Sequence, residues 1–229
     1  MGQPATPTRT PMNPERFERL KTALRRRQPD LTVVMDRVSK PHNFSAILRN
    51  CDAAGVLEAH LVRAPRAALP VHHRASAGTK KWVSVRRHLD VPSAVGLLRD
   101  RGFAVLAAHP SPGSVDFREV DYTRPTAILM GTERRGLTDA SLELADQHVA
   151  VPMMGLAGSL NVSVATSLLL FEAVRQRQAA GMYEQSRLPP DVFERMLFEW
   201  AYPSIARACR EDGRAYPRLT AQGDVMPDD

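Results

Sequence analysis

Residues 151–165 read VPMMGLAGSLNVSVA, and this stretch decides the fold. An apolar run ends at Val151, Pro152 breaks it, and Gly155 and Gly158 turn the chain. Ser159 or Asn161 then caps a helix whose apolar pattern covers 161–179. A strand handing over to a helix through a glycine loop is the repeating unit of an α/β sheet. The free N–H groups at such a helix start can hold an anion. Met153 and Met154 either pad an aromatic ring or fill core.

Working outward, strand patterns fall at 31–36, 59–63, 103–108, 126–130 and 148–151, with a short one at 82–85. Helical patterns fall at 44–54, 91–101 and 138–145. This alternation predicts an α/β domain with a mainly parallel sheet. Two further segments carry polar and glycine residues where a bland core would be apolar. The first, NFSAILRNCDAAG over 43–55, follows a strand and opens a helix with Asn43 as its N-cap. Arg49 sits two turns into that helix beside Ile47, Leu48 and Cys51, either on its inner side or solvated. The second, GTERRG over 131–136, follows the apolar run Ala127–Met130. Glycines at the carboxyl end of a sheet strand let a ligand approach the backbone. Glu133 is then either a turn carboxylate or an orienting group for a cation. No GxxxxGK[ST] loop and no GxGxxG after a strand occurs, which disfavours nucleotide hydrolases and Rossmann dehydrogenases.

Composition sets the remaining bounds. The 229 residues carry a formal charge of +6 and a pI near 9.8, which suits a polyanionic partner. A folded chain of this mass exposes roughly 10,000 Å² of an unfolded surface of roughly 37,000 Å², enough for a full core. Cys51 and Cys209 have neither disulfide-framework nor zinc spacing, and His72-His73 reads as surface, so no metal is expected. The first eleven residues lack the apolar segment of a signal peptide and no apolar run reaches 18 residues. The expectation is a cytoplasmic protein without a membrane segment.

The chain divides into a disordered extension at 1–12, a basic helix at 13–30, a core domain at 31–180, a helical extension at 181–218 and a loose acidic tail at 219–229. The basic helix starts at Asn13-Pro14 and carries Phe17, Leu20 and Leu24 on one stripe. The extension carries an apolar stripe of Val192, Met196 and Trp200, stopped by Pro203.

Taken together in this order, the three segments resemble the SpoU-type RNA 2′-O-ribose methyltransferases of the SPOUT superfamily, over about residues 13–218. The resemblance implies a parallel-sheet fold with a C-terminal deep trefoil knot, flanked by N- and C-terminal helices, and a homodimer through the knot region. It implies S-adenosyl-L-methionine as cofactor, held by Ala108, Gly131, Val151 and Leu160, with Ala108 in place of the expected Thr. It implies Arg49 as the central catalytic residue, with Asn43, Glu133, Ser159 and Asn161 around it. The implied reaction methylates a tRNA ribose 2′-hydroxyl, foremost at guanosine-18 of the D-loop. Another RNA, ribosomal or a tRNA wobble nucleotide, and a non-catalytic RNA-binding protein keeping the fold are the alternatives. Arg16, Arg19, Arg25, Arg26, Arg27, Lys80, Lys81, Arg134, Arg135, Arg207 and Arg210 are the candidate RNA phosphate contacts.

Overall fold

Two segments, Leu31–Asp36 and Thr126–Met130, are buried along their whole length. Strands covered on both faces belong to parallel sheets, and the pairing bears this out. The computed structural model describes residues 12–63, 81–132 and 136–226. Among them the strands are β1 (Leu31–Asp36), β2 (Glu58–Val62), β3 (Ser84–His88), β4 (Ala104–Ala108), β5 (Val115–Asp116), β6 (Thr126–Met130) and β7 (Gln147–Ala150). They form one sheet in the order β3-β2-β1-β6-β4-β7-β5, every pair parallel. Met35 pairs with Met130 and Leu106 with Ile128, so the central strands end at one level.

Five of the six expected strands lie within a residue of their predicted bounds. β3 starts two residues later than expected, because 81–83 form a turn. The two-residue β5 was not foreseen; among the described residues it pairs with β7 through Val115 and Asp116.

Helices cover both faces. On one, α2 (Pro41–Ala53) and α5 (Val162–Ala179) press Phe44, Ile47, Leu48, Leu169 and Leu170 against Leu31, Val33, Met35 and Ile128. On the other, α3 (Val91–Asp100) packs Val91, Ala94, Val95 and Leu98 against Val34, Val105 and Leu129. The short α4 (Asp139–Glu143) adds Leu142 to that second core. Asn43 does not cap α2 as the sequence suggested. Pro41, with its fixed φ and no N–H to satisfy, starts the helix two residues earlier, and Asn43 is carried inside it, 1% exposed.

Arg177 of α5 has no exposed surface and is fully bonded. Its Nε donates to the Tyr122 carbonyl at 2.9 Å and its Nη1 to Asp30 Oδ1 at 2.6 Å and Gln28 Oε1 at 3.0 Å. Nη2 donates to the carbonyls of Asp30 and Arg124. One side chain thus ties the end of α5 to the chain entering β1 and the chain entering β6. Arg187 also donates to Asp30, and the Tyr183 hydroxyl to the Ala54 carbonyl, so 181–187 belong to the sheet unit and not to an extension.

That unit runs from Arg27 to Arg187, and the two chain ends, through Arg26 and from Leu188, make a second. In the latter, α1 (Pro14–Arg25) starts at the Asn13 cap and buries Phe17, Leu20 and Leu24, as its stripe predicts. It packs with α6 (Pro190–Ala201), which is followed by α7 (Pro203–Glu211). The tail expected to be loose is held as far as Met226. Leu219 bridges Val225, the Met12 N–H donates to Asp224 Oδ1, and Gly223 lies against the Phe17 ring. A side chain at 223 would collide with that ring, so glycine is required there.

Candidate active site

The carboxyl ends of β4, β6 and β7 open into a cavity of about 320 Å³. Its wall brings together Ala108, Gly131, Val151 and Leu160, the four positions singled out for the cofactor, and adds Ser159. A volume near 300 Å³ is at the lower end for small-molecule sites. His109, Met130 and Thr132 line it as well, and sequence reasoning passed over them. Their signal was position alone, at or just after the last residue of a strand.

Gly131 is there for a steric reason. The Thr132 N–H donates to the Gly136 carbonyl and the Gly136 N–H returns to the Thr132 carbonyl, both at 3.0 Å, closing a tight loop. A Cβ on residue 131 would run into the backbone of Gly136 and Leu137. Gly136 itself has φ +64°, the left-handed region that glycine occupies without strain. Glu133, Arg134 and Arg135, between them, lie outside the described residues, as does Lys80.

Asn161 is the cap of α5: its Oδ1 accepts from the Ser163 N–H at 2.8 Å and from the Ser163 hydroxyl at 2.7 Å. Its Nδ2 donates to Asn43 Oδ1 at 3.2 Å. Asn50 adds a second stitch by donating to the Ser163 carbonyl at 2.8 Å. The seam between α2 and α5 therefore joins two of the predicted catalytic residues, directly after Leu160 in the cavity wall. Arg49 is the neighbour of Asn50 on α2, and it is exposed. No described residue bonds its guanidinium.

The expected RNA contacts divide. Arg16, Arg19, Arg25, Arg26, Lys81, Arg207 and Arg210 are exposed. Arg210 is also engaged, donating to the Tyr216 hydroxyl at 2.8 Å and to Glu199 at 3.3 Å. Arg27 must be struck from the set. It is 2% exposed, ion-paired with Asp52 and bonded to the Val56 carbonyl at 3.0 Å. It is the first residue of the sheet unit, where it closes the end of α2.

Among the described residues there is no group of three or more side chains suited to a metal ion, and no helix is long and apolar enough to cross a membrane. Both cysteines are free and buried.

A wholly parallel sheet with a glycine-opened cavity and a capped helix start at its carboxyl rim defines an α/β protein of the open-sheet class, in which ligands are generally bound at that rim. Comparison with known proteins narrows that class. The SpoU rRNA Methylase family model matches residues 30–171 and the SpoU, rRNA methylase, C-terminal model matches 175–228, and the chain belongs to this family. It is 50% identical over 219 residues, 95% of each chain, to the tRNA (guanosine(18)-2′-O)-methyltransferase of Escherichia coli strain K12. It is similar to the crystal structure of the Aquifex aeolicus TrmH/SpoU tRNA modifying enzyme, with a TM-score of 0.78 and 40% identity over 83% of this chain and 97% of that one. The SpoU methyltransferase AviRb of Streptomyces viridochromogenes, crystallised with AdoMet, matches with a TM-score of 0.61 and 30% identity, covering 66% of this chain and 60% of that one.

Proposed function

We propose that this protein transfers a methyl group from S-adenosyl-L-methionine to the ribose 2′-hydroxyl of a tRNA nucleotide, guanosine-18 of the D-loop. The observation that carries the reading is the convergence of Ala108, Gly131, Val151 and Leu160 on one cavity beside the Asn43–Asn161 bond. The relative at 50% identity, matched over 95% of both chains, carries that activity in its name.

The cavity fits the cofactor on two counts. Its volume accepts a nucleoside-sized ligand, and the compulsory Gly131 leaves backbone in place of a side chain at its wall. When bound, S-adenosylmethionine supplies an electrophilic methyl on a sulfonium sulfur. The chain supplies placement, which can account for up to roughly 7–11 kcal/mol of barrier reduction when the attacking oxygen is held in line. Arg49 takes the phosphate beside the target ribose and lowers the cost of the alkoxide that develops as the hydroxyl passes its proton to water while the oxygen takes the methyl and the sulfonium becomes a neutral thioether. A guanidinium, which stays protonated in proteins, serves this role better than that of a base. Ser159 and Asn161 hold the substrate side of the loop, Asn43 fixes Asn161, and Glu133 orients the basic side of the site. The exposed arginines of α1 and α7 take RNA phosphates.

The partner copy is read from an exposed apolar stripe on α5. Val164, Leu168 and Phe171 are 47, 38 and 47% exposed, and Met154 and Leu156 in the preceding loop are more exposed still. Contiguous apolar surface of this kind marks an interface. A homodimer formed there, around the knotted C-terminal segment that the family resemblance implies, covers it. Light scattering of the wild type and of Phe171→Glu checks this: the wild type runs as a dimer and the variant as a monomer.

Incubation with labelled S-adenosylmethionine and total tRNA, followed by mapping of the modified nucleotide, tests the reaction. A methyl group on the ribose of guanosine-18 is the expected result. Label on a base, or on ribosomal RNA alone, overturns it.

A further inference from the structure

Asn50 sits in the third turn of α2, next to Arg49, and its residue type runs against local preference. Asparagine inside a helix is less favourable than leucine or alanine, because its amide competes for nearby backbone groups. Here the amide is spent at long range instead. Half-buried Asn50 donates from Nδ2 to the Ser163 carbonyl at 2.8 Å, 113 positions away in the first turn of α5. A carbonyl oxygen has two lone pairs, so this bond does not compete with the ladder of α5.

The bond is one of a pair. Asn43, seven residues earlier and almost two turns away on the same face of α2, accepts from Asn161 Nδ2 at 3.2 Å. Two points about 10 Å apart along α2 are therefore held by the cap and the second residue of α5. Phe44, Ile47 and Leu48 of α2 join Leu169 and Leu170 of α5 in the apolar core between them. Apolar burial resists separation of the helices but is non-directional. A hydrogen bond is directional and weakens steeply once bent below about 120°. The Asn43 bond alone leaves α2 a pivot, and the Asn50 bond takes that freedom away.

The group such a pivot moves is Arg49. It precedes Asn50 by one residue, about 100° around the helix, and is exposed. Misplacing a reacting group by about 1 Å can cost about 10²-fold in rate even when the cause lies elsewhere. We propose that Asn50 is a positioning residue for methyl transfer. Its bond to the Ser163 carbonyl fixes the rotation of α2, and with it the place of the Arg49 guanidinium relative to the cavity wall at Ser159 and Leu160. The inference rests on the reading of Arg49 given above and adds the residue that aims it.

Asn50→Leu tests it. Leucine keeps the branched shape of asparagine, removes the donor and favours the helix, so the urea midpoint stays at or above that of the wild type. The expected result is a fall in kcat of tenfold or more, with KM for tRNA and affinity for S-adenosylmethionine within twofold. Adding Asn50→Leu to Arg49→Ala changes kcat less than twofold, because the group it aims is gone. Wild-type kcat in Asn50→Leu overturns the proposal, as does a tenfold loss that persists undiminished in the Arg49→Ala background. A loss of rate that comes with an equal loss of stability or of cofactor affinity also overturns it and leaves Asn50 a structural member of the seam. A wild type that methylates no ribose ends the reading of the reaction and this inference with it. A methylating wild type with an equally active Asn50→Leu ends the inference alone.

Discussion

Asn161 Nδ2 lies 3.2 Å from Asn43 Oδ1, across the seam between the start of α5 and the first turn of α2. The two residues are 118 positions apart in the chain. Asn161 uses its other amide atom as the helix cap, so one side chain both starts α5 and ties it to the helix that carries Arg49.

Arg49 on that helix is exposed, and no described residue bonds its guanidinium. Arg49→Ala lowers turnover by about 10²–10³, the loss seen when one preorganised donor to a developing oxyanion is removed. Calorimetric affinity for S-adenosylmethionine stays within twofold of wild type. Methylation at the wild-type rate removes Arg49 from the mechanism.

Gly131→Ala forces a methyl into the Gly136–Leu137 backbone and opens the loop closed by the two Thr132–Gly136 bonds. The cost is about 1–3 kcal/mol in stability, as for other overpacked sites. Cofactor affinity falls at least tenfold. Urea unfolding together with equilibrium binding checks both halves.

Arg177→Met strips five hydrogen bonds from a buried guanidinium and leaves Asp30 with Arg187 alone. The expected destabilisation is about 3–5 kcal/mol, typical of breaking one side of a buried pair. Chemical denaturation reads it, and a change below 1 kcal/mol contradicts the assignment.

Arg16, Arg19 and Arg26 separate from Arg27 by function. Replacing Arg16, Arg19 and Arg26 together by Ala lowers the log–log salt slope of tRNA binding by about 2–3, at roughly 0.7–0.9 per phosphate contact. Arg27→Ala leaves the slope alone and costs about 2 kcal/mol of stability, reduced from the fully buried case because Asp52 is a third exposed. The reverse pattern places Arg27 on the RNA.

Acid destabilises the sheet edge through two stacked histidines. His60 Nδ1 and His88 Nε2 are 2.8 Å apart, a contact that needs at least one neutral ring. Burial, then His88, Arg86 and Arg101, pull the His60 pKa down from 6.5 to about 3, and burial lowers His88 too. The unfolded chain therefore binds more protons than the folded one between these values. Stability is full above pH 6.5 and is lost as pH falls toward 3, by about 2 kcal/mol at pH 5 from His60 alone. Denaturation midpoints between pH 7 and 4 show this slope, and His60→Gln flattens it.

Local patterns determined much of this protein. β1 and β6 are mainly apolar runs, and the α1 stripe and the Asn161 cap act within a few residues of themselves. The loop glycines likewise marked the cavity rim, since a turn against a strand end is a local demand. Tertiary structure alone decided what depends on distant packing. Arg27 was expected on the RNA and Arg177 lies in a helix with no acidic partner nearby in sequence, yet burial against Asp52 and Asp30 makes both structural. A charge goes inside only when partners converge on it, and nothing in the flanking residues announces partners 25 and 147 positions away. The same holds for Asn50, whose acceptor is a carbonyl 113 positions on, within reach only because α5 packs across α2.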